Sequence, residues 1–492
     1  MDRLRSADVI NLAAEAPGVP MHMTVVAVLD GAALCDSAGR LRLDAIRRTV
    51  SAGVEAVPRL RQVLHEPGRF AGRPLWVDAA SFDVVKHVGR IGVPSSSGED
   101  ALLEVAARVL VRPLDRRRPL WRMVFVTGLG DHRIGLIVVV HHVVADGLAA
   151  TALLLSLLDR PLLPDDGRAP VAPEAPVAPE ASGTPVAAGE PVAAGEPVAR
   201  PGWGALVLDN ARGGFGNARH ALASVRHVRA AGIRAALRPM VARAPGPRPA
   251  SLNRPVGPHR GVGVVRFDLA EAARVAHAHG GTVNDLVLGL TSGGLRALLV
   301  ERGEDVGRLV VTASVAVSLR DRGRDGDVGN RTGAYLVDLP VGVRDPGERL
   351  RCVAARTAAV KAAQPSSAAT AFLAVLSRVG VARWFSVHQH LVHVVESDLT
   401  GPTGPVTVFG APVLGLIPIG SLAGNVPVSV LALSYAGRLV VAIQTDTDAV
   451  PDADTLLDGL RAEWAALRGT NDSRPGAVGA GSLGKRSEGG AG

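Results

Sequence analysis

Residues 138–147, VVVHHVVADG, put two adjacent histidines at the end of an apolar run, with Asp146 and Gly147 four and five residues after His142. Imidazole titrates near neutrality and serves as a general base, a proton shuttle or a metal ligand. The metal reading suits this stretch poorly. Neighbouring strand residues point to opposite faces, and no third ligand with metal spacing stands nearby. One of the two rings is therefore expected against packing or a backbone partner, the other at a cavity. Packing alone explains adjacent histidines at the end of a strand badly. Asp146 also reads as an N-cap for a helix starting at Leu148.

A general base without a protein nucleophile fits better. The chain has no Gly-x-Ser-x-Gly elbow, and neither Cys35 nor Cys352 adjoins a histidine. A neutral imidazole can take the proton of an alcohol as it attacks an activated acyl group. A thioester suits that scheme because its thiolate leaves with little acid assistance.

The elements that must position these groups are legible in outline. The stretch 23–31 is β-branched and ends in Asp-Gly, as a strand does before a turn. Residues 41–57 and 100–114 space their apolar residues for helices. Residues 121–142 read as two strands around a Gly-Asp turn. The second is apolar on both faces and is expected at the centre of a sheet. Residues 148–159 read as a helix. Composition changes at Pro161, and 161–202 is a Pro/Ala/Gly/Glu-rich linker unable to bury enough apolar surface to order itself. Residues 203–250 form a basic helical connector with its helix over 204–243. A second set of strands and helices follows over 251–470, and 471–492 is a Gly/Ser-rich tail.

Composition sets limits. Hydrophobic residues make up 47% of the 492 and aromatics only 3%, so the core is aliphatic and offers no platform for base stacking. Of the net charge of +8, +7 lies within 201–250, which carries eight arginines and one acid, Asp209. The basicity is thus local, and nucleic-acid binding is not expected. Two cysteines make neither a disulfide framework nor a metal site. The N-terminus carries acids where a signal peptide needs an apolar core. The uncharged run between Asp398 and Arg438 is broken by Gly and Pro, unlike a membrane span. A cytoplasmic protein is expected.

Several blocks together resemble a family, the bacterial wax ester synthase / acyl-CoA:diacylglycerol acyltransferases (WS/DGAT). They are PMHM (20–23), PLDRRRPLW (113–121), HHVVADG (141–147), TVNDLVLGLTSGGLRALL (282–299), the stretch 315–350 around VSLRD and GNR, and the closing strands over 426–452. They cover nearly the whole chain except the linker and tail. The resemblance implies two α/β domains of the chloramphenicol-acetyltransferase type, each a mixed sheet flanked by helices, with the first domain over 1–160 and a tunnel between the two.

It also implies roles. His142 is the base and His141 structural. Asp146 holds the loop through an arginine, for which Arg320 is the candidate. Gly147 lets an acyl thioester pass close to the backbone. Asn284 donates to the developing oxyanion, although Thr282-x-x-Asp285 also reads as a capping box, in which Asp285 is the cap. Trp121 anchors a strand in the core. Arg116 to Arg118 face solvent or a CoA phosphate. Ser397, Gly401 and Pro402 belong to a loop lining the substrate. That loop departs from the family, with Asp398 where an Asn is usual and Thr400 where a Pro is usual.

The implied substrates are acyl-CoA and a diacylglycerol or long-chain alcohol, giving triacylglycerol or wax ester with no metal or organic cofactor. The basic 204–243 helix is expected to reach the inner face of a membrane or a lipid body. Two other readings stay open: a carrier-protein-dependent condensation enzyme using the same histidine motif, and a non-catalytic lipid-binding paralogue.

Overall fold

Runs of β-branched and other apolar residues build two six-stranded sheets, flanked by helices. The structure, a computed structural model, describes residues 2–16, 18–68, 71–144, 160–163, 201–210, 251–318, 332–362 and 382–472. Strands in chain order are β1 (His22–Asp30), β2 (Gln62–His65), β3 (Leu75–Asp78), β4 (Val88–Gly92), β5 (Trp121–Thr127), β6 (Arg133–His141), β7 (Arg260–Asp268), β8 (Val311–Ser318), β9 (Thr332–Leu339), β10 (Val394–Thr400), β11 (Thr407–Val408), β12 (Ala411–Ile419), β13 (Val428–Tyr435) and β14 (Arg438–Asp446). Helices are α1 (Ser6–Ala14), α2 (Leu43–Glu55), α3 (Gly98–Leu110), α4 (Leu269–Ala278), α5 (Val283–Glu301), α6 (Pro346–Ala362), α7 (Ala382–His388) and α8 (Ala453–Asp472). Residues 203–210 are also helical.

The first sheet runs β11-β12-β1-β6-β5-β4 and the second β7-β14-β13-β10-β8-β9. Both are mixed: β4 lies parallel to β5, and β10 lies parallel to β13 and β8. Strand β6 is central, between β1 and β5, and buried at every position after Arg133. Its Gly135 has no room for a side chain, because a Cβ would stand 2.4 Å from Leu102 of α3. Helix α5 starts at the expected capping box. Thr282 accepts the Asp285 N–H, and Asp285 accepts from the Thr282 backbone. This helix is apolar and long enough to cross a membrane, yet it is a core helix. It crosses α8 so closely that a Cβ on Gly294 would lie 2.6 Å from the Leu456 carbonyl.

One expected boundary changes. Residues 407–419, placed by sequence in a separate C-terminal domain over 251–470, add two strands to the first sheet. There β12 pairs antiparallel with β1, Thr24 opposite Ile419. The physical reason is the edge of β1, whose backbone would otherwise be an unpaired row of donors and acceptors. The expected helix at 148–159, most of the 161–202 linker, most of the basic connector and nearly all of the tail lie outside the described residues.

Candidate active site

The site is assembled at the end of β6. The strand ends at His141, and His142 already lies in the turn that follows. Strict alternation therefore does not govern the pair, and both rings reach the same helix, α1. The His142 backbone N–H donates to the Met21 carbonyl at 2.8 Å, tying the turn to the start of β1. The His142 ring meets the Asn11 amide, with Nδ1 3.1 Å from Nδ2. His141 Nε2–H donates to Glu15 Oε1 at 2.9 Å, and its Nδ1 accepts the Val143 N–H at 3.1 Å, which fixes the tautomer. Asn11 lies in the last turn of α1, and Glu15 is the residue that caps its C-terminal end.

Glu15 is the hub. It also accepts from the Met21 N–H at 3.0 Å and from Arg116 at 2.7 Å. Arg116 in turn reaches Glu66 at 2.8 Å. Burial alone would push the Glu15 carboxyl up. The hydrogen bond and electrostatic attraction of His141, the Met21 amide and Arg116 outweigh it and pull the pKa down to about 2. His22 pairs across from His141 in the β1–β6 register, with ring centroids 5.9 Å apart edge to face. Its Nδ1–H donates to the Leu110 carbonyl at 2.8 Å. Burial, against the pull of that carbonyl, lowers its pKa to about 4, so His22 is neutral at pH 7. Arg116, expected at solvent or a phosphate, is solvent-exposed and also ties Glu15 to Glu66. The signals for Asn11 and Glu15 were absent, because nothing local to α1 says what it packs against.

Trp121 is 1% exposed. Its indole N–H donates to the Leu60 carbonyl at 2.9 Å, and it stacks on His87 at 4.4 Å. That is a strand anchor.

A second group lies on the other sheet. Tyr335, Val315, Glu396 and Val430 stand in one row across β9, β8, β10 and β13. Glu396 is fully buried, and neither oxygen has a hydrogen-bond partner. Burial first, then the neighbouring Asp398 and Asp285, push its pKa well above the carboxylate range. Burial raises Asp398 to about 6. Tyr335 rises to about 12, through burial and the charges of Glu396 and Asp285, against the pull of the Asn284 amide beside it. Asn284 Nδ2 is buried without a partner within bonding geometry. Asp285 caps α5 and also accepts from the Thr357 hydroxyl at 2.6 Å. Ser397 sits half-buried on the opposite face of β10 from Glu396.

Two of the expected substrate contacts serve the backbone. The Gly401 N–H donates to the Ser434 carbonyl at 2.9 Å, and a Cβ there would lie 2.5 Å from that oxygen. The Pro402 carbonyl accepts the Ala436 N–H at 3.2 Å. Asp146, Gly147 and Arg320 lie outside the described residues. Among the described residues no group of three or more His, Cys, Asp and Glu could hold a metal ion.

Two mixed sheets flanked by helices, with paired histidines where a central strand ends, define a class: the two-lobed acyltransferase and condensation fold. The wax ester synthase/diacylglycerol acyltransferase from Marinobacter aquaeolei VT8 shares it at a TM-score of 0.66 and 19% identity, over 96% of this chain and 100% of that one. The first condensation domain of the calcium-dependent antibiotic synthetase shares it at 0.57 and 18%, over 95% and 96%. Residues 4–287 match the wax ester synthase/diacylglycerol acyltransferase catalytic domain, and residues 328–468 match the WS/DGAT C-terminal domain. The chain belongs to the wax ester synthase/diacylglycerol acyltransferase family and is an acyltransferase. A probable diacylglycerol O-acyltransferase of Mycobacterium tuberculosis (strain ATCC 25618 / H37Rv) is 31% identical over 406 residues, which are 80% of this chain and 81% of that protein. A putative one of Mycobacterium bovis shows the same figures.

Proposed function

We propose that the protein moves a fatty acyl group from acyl-CoA to a diacylglycerol or long-chain alcohol, with His142 as general base. The observation that carries the base assignment is the His142 ring, half-buried at the end of the central strand and held at Nδ1 by an uncharged amide. The acceptor hydroxyl gives its proton to Nε2 as its oxygen bonds to the thioester carbon. The C–S bond then breaks, and the CoA thiolate takes the proton back from the imidazolium. The thioester is activated already, so the chemistry calls for no metal or organic cofactor. Asn284 is assigned the oxyanion, because its buried Nδ2 lies beside Tyr335 with no partner within bonding geometry.

The test is CoA thiol release from palmitoyl-CoA with dipalmitoylglycerol or hexadecanol. Acceptor-dependent release is expected, falling by about 10²- to 10⁴-fold in His142→Ala. Undiminished release in the variant would refute the base. No release from the intact protein with either acceptor would refute the CoA donor.

The enzyme works, in this reading, at the inner face of a membrane or a lipid body. The basic 204–243 stretch supports it, and so do Trp203 and Leu208, which are 65% and 51% exposed where that stretch begins. The protein should float with phosphatidylglycerol vesicles at low salt and not with phosphatidylcholine. Equal behaviour with both would sink the electrostatic part.

A further inference from the structure

We infer that Asn11 is a positioning residue for His142, selecting the tautomer in which Nε2 can accept a proton. The inference rests on His142 being the base. An imidazole accepts at one nitrogen only when the other carries the hydrogen. The Asn11 amide lies 3.1 Å from His142 Nδ1. With Nδ2–H donating into Nδ1, the ring hydrogen sits on Nε2 and the base is blocked. A half-turn of the amide places Oδ1 in the same spot at no cost in shape. Nδ1–H then donates to Oδ1, and the proton-free nitrogen is Nε2. When the substrate hydroxyl gives its proton to Nε2, the imidazolium keeps its Nδ1–H on Oδ1 until Nε2–H protonates the leaving thiolate. Only a side chain that can both donate and accept serves the resting and the base-competent ring, and an amide does so without adding charge.

Helix α1 is held in place beneath that amide. Leu4 is buried just before it, Val9 and Leu12 pack against the first core, and Asp8 accepts the Arg5 N–H at 3.2 Å. The helix also packs on α7, from the other half of the chain. Among the described residues, the charged and titratable groups in the hydrogen-bonded cluster beside His142 include His141 on β6, Glu15 at the end of α1, His22 on β1 and Arg116 before β5. Glu15 is engaged by His141, Met21 and Arg116, and His22 by the Leu110 carbonyl. The side chain given to His142 by α1 is the neutral one.

Three variants of the full-length protein test this by steady-state kinetics with palmitoyl-CoA and dipalmitoylglycerol across pH 5–9. Asn11→Leu keeps the branched shape and loses both polar atoms. Its kcat should fall about 10- to 100-fold, a part of what a general base supplies, while both KM values stay within about twofold. Asn11→Asp can only accept. It should retain kcat within about threefold on the plateau and move the acid limb of the profile upward by about one pH unit, because a carboxylate stabilises the imidazolium. Added to His142→Ala, Asn11→Leu should have no further effect, because it acts through that ring.

An unchanged kcat in Asn11→Leu, a loss confined to KM, or the same loss on top of His142→Ala would each overturn the inference. If Asn11→Leu fails to fold, as its melting curve would tell, an unmoved acid limb in Asn11→Asp overturns it instead. His142→Ala separates the two ideas. If that variant is fully active, the base assignment falls and this inference with it. If it is inactive while Asn11→Leu is normal, this inference alone falls.

Discussion

Glu15 is an anion enclosed by three donors, and its contribution to stability follows from that. Its folded pKa of about 2 lies below the ordinary 4.5. A depressed acid stabilises the folded state fully above pH 4.5, and the contribution is lost as pH falls toward 2. Glu15→Gln keeps the shape and removes the charge. At pH 7 the variant should be less stable by up to about 3 kcal/mol, the worth of a shift of that size. The gap should close below pH 4.5, which urea midpoints of both proteins over pH 3–8 would show. A gap independent of pH would mean that Glu15 acts by packing alone. Sequence pattern exposed the histidines it serves because two adjacent imidazoles after an apolar run are locally odd. It hid Glu15 and Asn11, since a helix face reveals its partner only once the chain has folded back 126 and 131 residues away.

At the scale of elements, the strands and helices with strong local signals stand where periodicity put them: α2 inside 41–57, the β5–β6 hairpin inside 121–142, and α5 starting from its Thr282 cap. Their apolar patterns are satisfied by burial, and that of α5 by its cap as well. Strand β10 is different, because its chemistry depends on what lies beside it. Asp398, where the family resemblance leads one to expect an Asn, stands opposite Ala432, two residues from the fully buried Glu396. Burial lifts Asp398 from 3.8 to about 6. The unfolded chain ionises first as pH rises, so the cost to folding grows between pH 3.8 and 6 and is fully present above. Asp398→Asn should therefore stabilise the protein above pH 6 by about 2–3 kcal/mol. The gain should shrink to nothing near pH 4, read from melting temperatures at pH 8, 6 and 4. A variant no more stable than the parent at pH 8 would show that burying Asp398 carries no such cost.

The whole molecule cannot be divided where its composition changes. Strands β11 and β12 leave the second half of the chain to complete the first sheet, and α3 of the first half packs on β7 of the second. One apolar cluster joins Val26 and Val28 of β1, Ile417 and Ile419 of β12, Val440 and Ala442 of β14, and the inner face of α3. Arg266 of β7 donates to both oxygens of Glu99 at the start of α3, at 2.6 Å each, across the same junction. The catalytic-domain match, which runs from residue 4 to 287, likewise crosses from the first sheet into α5. Cooperative unfolding follows wherever the halves share a core. Calorimetry of the intact protein should show one transition, and Ile417→Asp should lower its midpoint without splitting it. A fragment ending at residue 163 would expose the β1 edge from Thr24 to Leu29, an open template for aggregation. It should be insoluble or bind a dye for exposed apolar surface, and fusing residues 405–421 to it should reduce both defects. Two separate transitions in the intact protein, or a soluble and cooperatively folded fragment, would show that the crossing strand decorates the first lobe rather than completing it.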